Sequence, residues 1–226
     1  MKSALADLFT VPVQIAMRDI VRDDDRDAAL LYPEEAVAVV NAVTRRRAAY
    51  AAGRLCARAA LAAWGAAPGP IPSRPDRSPA WPDGYAGSIS HCPDRCVAVA
   101  APLSTVASLG IDVELARLAD ANLYRHICRP EELAEWSARP ELTLDLWAAL
   151  AFSAKEAYYK AHFPLAGTFL DFQEVRLSIG VEADGCSGTF SASHADGAGT
   201  HPAHRHFAGR WVRRGEHVYT GVTCPL

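Results

Sequence analysis

Between Ala66 and Gly84 the chain carries Pro68, Pro70, Pro72, Pro75, Pro79 and Pro82. Proline fixes φ, lacks a backbone N–H and drives its predecessor out of the helical region, so neither a helix nor a central strand can run through that stretch. The rest must organise on either side of an extended loop bearing Arg74 and Arg77. A connection that long inside a folded chain is often functional.

Before the loop, Pro33 to about Trp64 reads as helix. Glu34 and Glu35 suit a helix N-terminus, and Val37, Val40, Val43, Leu55, Ala59 and Ala62 fall near helical spacing. After it, Gly87 to His91 and Val97 to Ala100 read as strands joined by a turn at Cys92 to Cys96, and a third strand follows at Val106 to Glu114. Helices are expected at Ala119 to Ile127, Glu131 to Ser137 and Thr143 to His162. In the last, Leu146, Trp147, Leu150, Ala151, Ala154 and Tyr158 trace one apolar face. Strands are expected again at Val175 to Ile179, Thr189 to Ser193, Gly209 to Arg213 and His217 to Val222, the last two joined around Arg214-Gly215. The expected fold is α+β: two packed subdomains, 1–103 and 104–226, each with helices on a small, mostly antiparallel sheet, divided near Pro102 to Ser104.

With 226 residues, half of them hydrophobic, and a net charge of -3, the chain can bury a substantial core and is no general nucleic-acid binder. No run approaches the roughly 18 apolar residues of a membrane span, and Met1 to Leu8 offers no signal peptide; a cytoplasmic location is expected. The six cysteines are expected to be free thiols. Within His91-Cys92-Pro93-Asp94-Arg95-Cys96 a zinc site is conceivable, but zinc usually takes four ligands and no second Cys/His pair follows nearby. The acidic run Asp23-Asp24-Asp25 with Asp27 reads as a solvated loop.

Four groups of residues could do chemistry. In Gly110-Ile111-Asp112-Val113-Glu114 two acids leave the same face of a strand, about 6 to 7 Å apart. That is a solvated strand end or half of a site for a hard cation such as magnesium. In the best helix, Glu156 and Lys160 stand one turn apart, either as an ordinary surface pair or as part of a site. Among 23 basic residues only Lys2, Lys155 and Lys160 are lysine, so two positions in that helix favour a compact ammonium over arginine's planar fork. His91 ends the strand Gly87-Ser88-Ile89-Ser90-His91, as a structural histidine or an anion contact. Arg45, Arg46, Arg47, Arg54 and Arg58 form a solvated helical face or an anion-binding patch.

Taken together and in this order, these segments resemble the 4'-phosphopantetheinyl transferase superfamily, in particular the enterobactin-synthetase type of its surfactin-like group. The likeness spans roughly residues 31 to 175. It is carried by Leu31-Tyr32-Pro33-Glu34-Glu35, the Arg47 to Arg58 segment, Arg77-Ser78-Pro79-Ala80-Trp81-Pro82, Gly87 to His91, Gly110 to Glu114 and Phe152 to Lys160, with Phe152 where the family often has Trp. The resemblance implies two similar halves related by pseudo-twofold symmetry, with coenzyme A, the substrate, in the cleft between them. It implies transfer of 4'-phosphopantetheine from coenzyme A to a serine of an apo acyl or peptidyl carrier protein, with release of adenosine 3',5'-bisphosphate. By motif position Asp112, Glu114 and Glu156 hold Mg2+, and Asp112, Glu156 and Lys160 are catalytic, with Glu156 taking the serine proton directly or through water. Coenzyme contacts fall on Arg77, Ser90, His91, Lys160 and nearby Lys155, with Arg47 and Arg54 as looser candidates. For the lysines that some relatives use at the 3'-phosphate, either arginines such as Arg74 stand in or that contact is absent. The implied carrier belongs to a fatty-acid, polyketide or nonribosomal-peptide synthase, siderophore assembly included, and the implied enzyme is a monomer.

Two other classes use the same residues: a magnesium-dependent diphosphate or phosphodiester hydrolase, and a non-catalytic carrier-binding protein. The stretch from Cys186 to Leu226, with His194, His201, His204 and His206, matches nothing in the resemblance. It reads as a surface loop and terminal hairpin or as an adventitious metal site.

Overall fold

A computed structural model describes residues 5–21, 24–117, 123–138, 142–195 and 206–226. Among the described residues eight strands form two sheets, every pairing antiparallel. β1 (Gln14–Asp19), β2 (Tyr85–His91) and β3 (Arg95–Pro102) pair in the order β1-β3-β2. β4 (Ser108–Leu115), β5 (Val175–Ile179), β6 (Ser187–His194), β7 (Phe207–Arg214) and β8 (His217–Cys224) pair in the order β4-β8-β7-β6-β5. The chain passes from one sheet to the other just after Pro102.

Each sheet carries one long helix. A short α1 (Pro33–Ala36) precedes α2 (Thr44–Ala62), whose buried face is nearly all small: Ala48, Ala49, Ala52, Cys56, Ala57 and Ala60. Small side chains let α2 lie close on the first sheet, over Ala16, Ala98 and Ala100. After the single turn α3 (Tyr124–Ile127) and α4 (Pro130–Ser137), helix α5 (Leu144–Ala166) crosses the second sheet on the apolar face read from the sequence. Its first turn is capped by the Thr143 hydroxyl, which accepts from Leu146 N–H, and it ends at Gly167 with φ +65°, a left-handed conformation that glycine adopts without strain. A third core, with Val97, Val99, Leu109, Ile111 and Val113, fills the space between the two sheets.

One expectation needs correction, one strand was not foreseen, and one expectation falls partly outside the described residues. The helix over Pro33 to Trp64 is broken: Val37, Val40 and Val43 are 73%, 72% and 73% exposed, so their threefold spacing marks no buried face. β1 was not expected, because Gln14-Ile15-Ala16-Met17-Arg18-Asp19 shows no clean alternation. Of the helix expected from Ala119, residues 119–122 lie outside the described residues, as do Lys2, Asp23, His201 and His204. Cys92, Cys96, Cys128 and Cys186 form no disulfide. Among the described residues no helix is long and apolar enough to cross a membrane.

The proline-rich loop is tied down at two points. Its tip closes through pairing of Ser73 with Pro79 and a bond from Arg74 N–H to Ser78 O (2.8 Å). Its end is held by Trp81, whose ring lies where a Cβ on Gly87 would sit, at 2.5 Å. Glycine at position 87 is thus what lets the indole rest on β2.

Candidate active site

β4 and β2 are both edge strands, one from each sheet, and the site forms where they meet. An edge strand presents unpaired backbone groups that need partners. Two serines on one face of β2 tie the strands, Ser88 to a backbone group and Ser90 to a side chain. Ser88 Oγ accepts from Ile111 N–H (3.1 Å), and Ser90 Oγ donates to Asp112 Oδ1 (2.6 Å). All three side chains that tie the strands here, Ser88, Ser90 and Asp112, are buried.

Helix α5 reaches the same strand because of Gly110. A Cβ there would lie 1.8 Å from the carbonyl oxygen of Ala157 and 3.0 Å from the nitrogen of Ala161, so the helix backbone rests directly on the glycine. That contact sets Glu156 and Lys160 over Asp112. Lys160 Nζ donates to Asp112 Oδ1 (2.6 Å) and Ser90 Oγ (3.0 Å), and lies 3.8 Å from Glu156 Oε2.

The electrostatics follow from this crowding. Burial opposes the charge on Lys160, but Asp112, then Glu156 and Glu114, outweigh it and hold the ammonium pKa above its usual value. Glu114 is pushed up to about 7, first by burial and then by the charge of Asp112. Glu156 is raised by burial first, with Asp112 adding to it against the pull of Lys160. Asp112 Oδ2 is buried and without a hydrogen-bond partner. Three carboxylates short of positive charge, one with an orphaned buried oxygen, are a donor set that fits a hard divalent cation. Their ligand atoms do not all close to within 4.8 Å of one another, and Lys160 Nζ bridges Asp112 and Glu156 instead.

Beside this group, at the exposed end of β2, His91 has a pKa below the ordinary histidine value. The nearby protein surface desolvates the ring, and Arg46 and Lys160 add positive field. Arg46, Tyr50 and Arg54 stand four apart on one face of α2. Arg54 is buried, stacks over the Tyr50 ring at 4.3 Å and donates to Ser73 Oγ (2.9 Å) at the base of the loop. Arg77 is exposed at the loop tip in the left-handed region, φ +70°, an uncommon and strained conformation for a residue with a side chain.

Residues 34–101 match the 4'-phosphopantetheinyl transferase N-terminal domain, and residues 108–194 match the 4'-phosphopantetheinyl transferase superfamily. The chain belongs to that superfamily. The transferase is 40% identical over 173 residues to 4'-phosphopantetheinyl transferase Svp of Streptomyces mobaraensis, an alignment covering 74% of this chain and 67% of that protein. It is 36% identical over 186 residues to 4'-phosphopantetheinyl transferase PptT of Mycobacterium tuberculosis, covering 81% and 82%. With enterobactin synthase component D of Salmonella typhimurium it shares 38% identity over 120 residues, 52% and 48% of the two chains. The two matched segments meet at the junction just described: Ser90 and His91 come from the first, and Asp112, Glu114, Glu156 and Lys160 from the second.

Not every residue expected at the transferase site is brought to it. Lys155 points into the second core, where Nζ is held by Glu132 (2.8 Å) and the carbonyls of Ile127 (2.8 Å) and Phe172 (2.9 Å), so all three of its protons are used. It is a buried ion held by the core, whereas the resemblance implied a place near the coenzyme. Arg47 is bonded to Asp25 (2.6 Å), Thr44 and the carbonyl of Ala42. Arg74 clamps its own loop through Pro79 O (2.7 Å). The arginine that does share the field of His91 is Arg46, one of the arginines read from the sequence as a solvated face or an anion-binding patch; its spacing of four from Tyr50 and of eight from Arg54 singles it out.

Proposed function

We propose that this transferase moves 4'-phosphopantetheine from coenzyme A to a serine hydroxyl of an apo acyl or peptidyl carrier protein. The serine oxygen bonds to the phosphorus of the pantetheine phosphate, the diphosphate bridge breaks, and adenosine 3',5'-bisphosphate leaves. The observation that carries the reading is the Lys160–Asp112–Ser90 hydrogen-bonded group at the junction of the two edge strands, with Glu114 and Glu156 beside it.

Each residue has a role that its surroundings support. Lys160, kept charged by the acids, would meet the diphosphate oxygens and offset the charge that builds on the leaving group. Ser90 holds Asp112 in a single orientation. Glu156, with its pKa raised, would take the serine proton directly or through a water. His91, Arg46 and Arg77 offer positive charge and hydrogen bonds at the rim, suited to the phosphates of the adenosine portion. A magnesium ion held by Asp112, Glu114 and Glu156 would neutralise the diphosphate oxygens.

Incubating apo carrier proteins with coenzyme A, the enzyme and Mg2+ and weighing the carriers by intact mass spectrometry tests this. One phosphopantetheine gained per carrier, lost on chelation and restored by Mg2+, is the expected result. Coenzyme A cleaved with every carrier unmodified would mean a hydrolase.

A further inference from the structure

The turn between β2 and β3 meets the start of β8 at a cluster that the transfer chemistry does not use. Asp94 Oδ1 accepts from Cys92 Sγ at 3.3 Å and lies 2.9 Å from His217 Nε2, 123 residues away. One ligand atom from each of the three residues lies within 4.8 Å of the other two; among the described residues this is the one group of three or more His, Cys and acidic donors so arranged. Cys92 and His217 are buried, while Asp94 reaches solvent.

We propose that Cys92, Asp94 and His217 form a binding site for a borderline-soft transition ion, zinc above all, that staples the two halves of the molecule together. The chemistry of the set selects the ion. Thiolate, imidazole and carboxylate in one cluster suit zinc, whereas magnesium and calcium take oxygen alone. The size fits as well. Ligands about 2.0 to 2.3 Å from a tetrahedral zinc lie roughly 3.3 to 3.6 Å apart, so the Cys92–Asp94 pair at 3.3 Å and the Asp94–His217 pair at 2.9 Å need to open only slightly, and Cys92 and His217 lie within 4.8 Å of each other. Asp94 leaves the fourth position to water. The sequence argued against zinc here for want of a second Cys/His pair nearby; the fold brings in His217 from the far end of the chain instead.

Binding is balanced by simple proton exchange. The Cys92 thiol gives its proton to solvent as the sulfur–metal bond forms, and the Nε2 proton that His217 now turns to Asp94 passes through solvent to Nδ1, freeing the Nε2 lone pair for the metal. A competing reading, a Cys–His nucleophile pair, is disfavoured: Cys92 bonds to Asp94 rather than His217, and burial pushes its pKa up to about 12.

The full chain, reduced and metal-stripped, is titrated with Co2+ and then Zn2+. The expected result is one equivalent bound, with a thiolate-to-cobalt charge-transfer band and tetrahedral d–d absorption that zinc displaces. The band should vanish in Cys92→Ser, and affinity should fall at least about tenfold in Asp94→Asn, whose exposed side chain leaves the fold testable by circular dichroism. His217→Gln should behave as Asp94→Asn does. Zinc should also raise the unfolding temperature of the wild type and of neither Asp94→Asn nor His217→Gln, because the ion joins elements of both sheets. No cobalt–thiolate band in the folded wild type, or a band and affinity unchanged in Asp94→Asn, would overturn the site.

Discussion

Lys160 Nζ lies 2.6 Å from Asp112 Oδ1, across 48 residues of sequence, and Ser90 Oγ from the other sheet lies 2.6 Å from the same oxygen. One carboxylate thus ties together a helix and two edge strands, and its other oxygen is left without a partner. On the proposed reading, the reacting group and the junction of the two sheets are the same object.

Gly110→Ala tests how that object is assembled. The added methyl would meet the Ala157 carbonyl at 1.8 Å, so helix α5 must lift from β4. Overpacking of this kind should cost roughly 1–3 kcal/mol or more in urea unfolding. The folded enzyme should also lose turnover, because Lys160 is carried away from Asp112.

Lys155→Met separates the core lysine from Lys160, for which a catalytic role is proposed. Removing the ammonium leaves Glu132 buried and uncompensated, which should cost about 3–5 kcal/mol. Chemical denaturation gives the loss. Pairing it with Glu132→Gln should recover much of that stability, and coenzyme affinity of the folded protein should stay near wild type.

Arg46 and Arg47 are neighbours with different assignments. Arg46→Ala is expected to raise KM for coenzyme A about tenfold, the worth of roughly one charge-assisted hydrogen bond, with kcat little changed. Arg47→Ala removes a half-exposed pair with Asp25 and should leave KM alone. Steady-state kinetics on the two variants decide between them.

His91 gives the pH dependence a sign. Desolvation, Arg46 and Lys160 hold its pKa below the usual value, so the ring is mainly neutral at pH 7 in the free enzyme. An anion bound beside it raises that pKa, so binding takes up a proton and coenzyme affinity should rise as pH falls between the two values. Calorimetry in buffers of different ionisation heat measures the uptake, which His91→Gln should abolish.

Much of this was legible in the sequence. The strand holding Asp112 and Glu114 and the helix holding Glu156 and Lys160 have strong apolar patterns, so their acids could be placed on faces before any coordinates. The scarcity of lysine also pointed to real constraints, though of two kinds: Lys160 meets carboxylates in the site, and Lys155 meets three acceptors in the core. What spacing could not give was long-range pairing. Nothing local says that Lys155 faces Glu132, that Arg47 is spent on Asp25, or that His217 returns to Asp94. Val37, Val40 and Val43 misled for the opposite reason, a helical spacing with no surface to cover it.

Single-turnover transfer to an apo carrier by Asp112→Asn, with Mg2+ present and folding verified, tests the central claim most directly. The variant keeps the shape but removes the charge that Lys160, Ser90 and a metal would share, and transfer is expected to fall by at least about a thousandfold. Modification of the carrier at a rate within a few-fold of wild type would contradict the account.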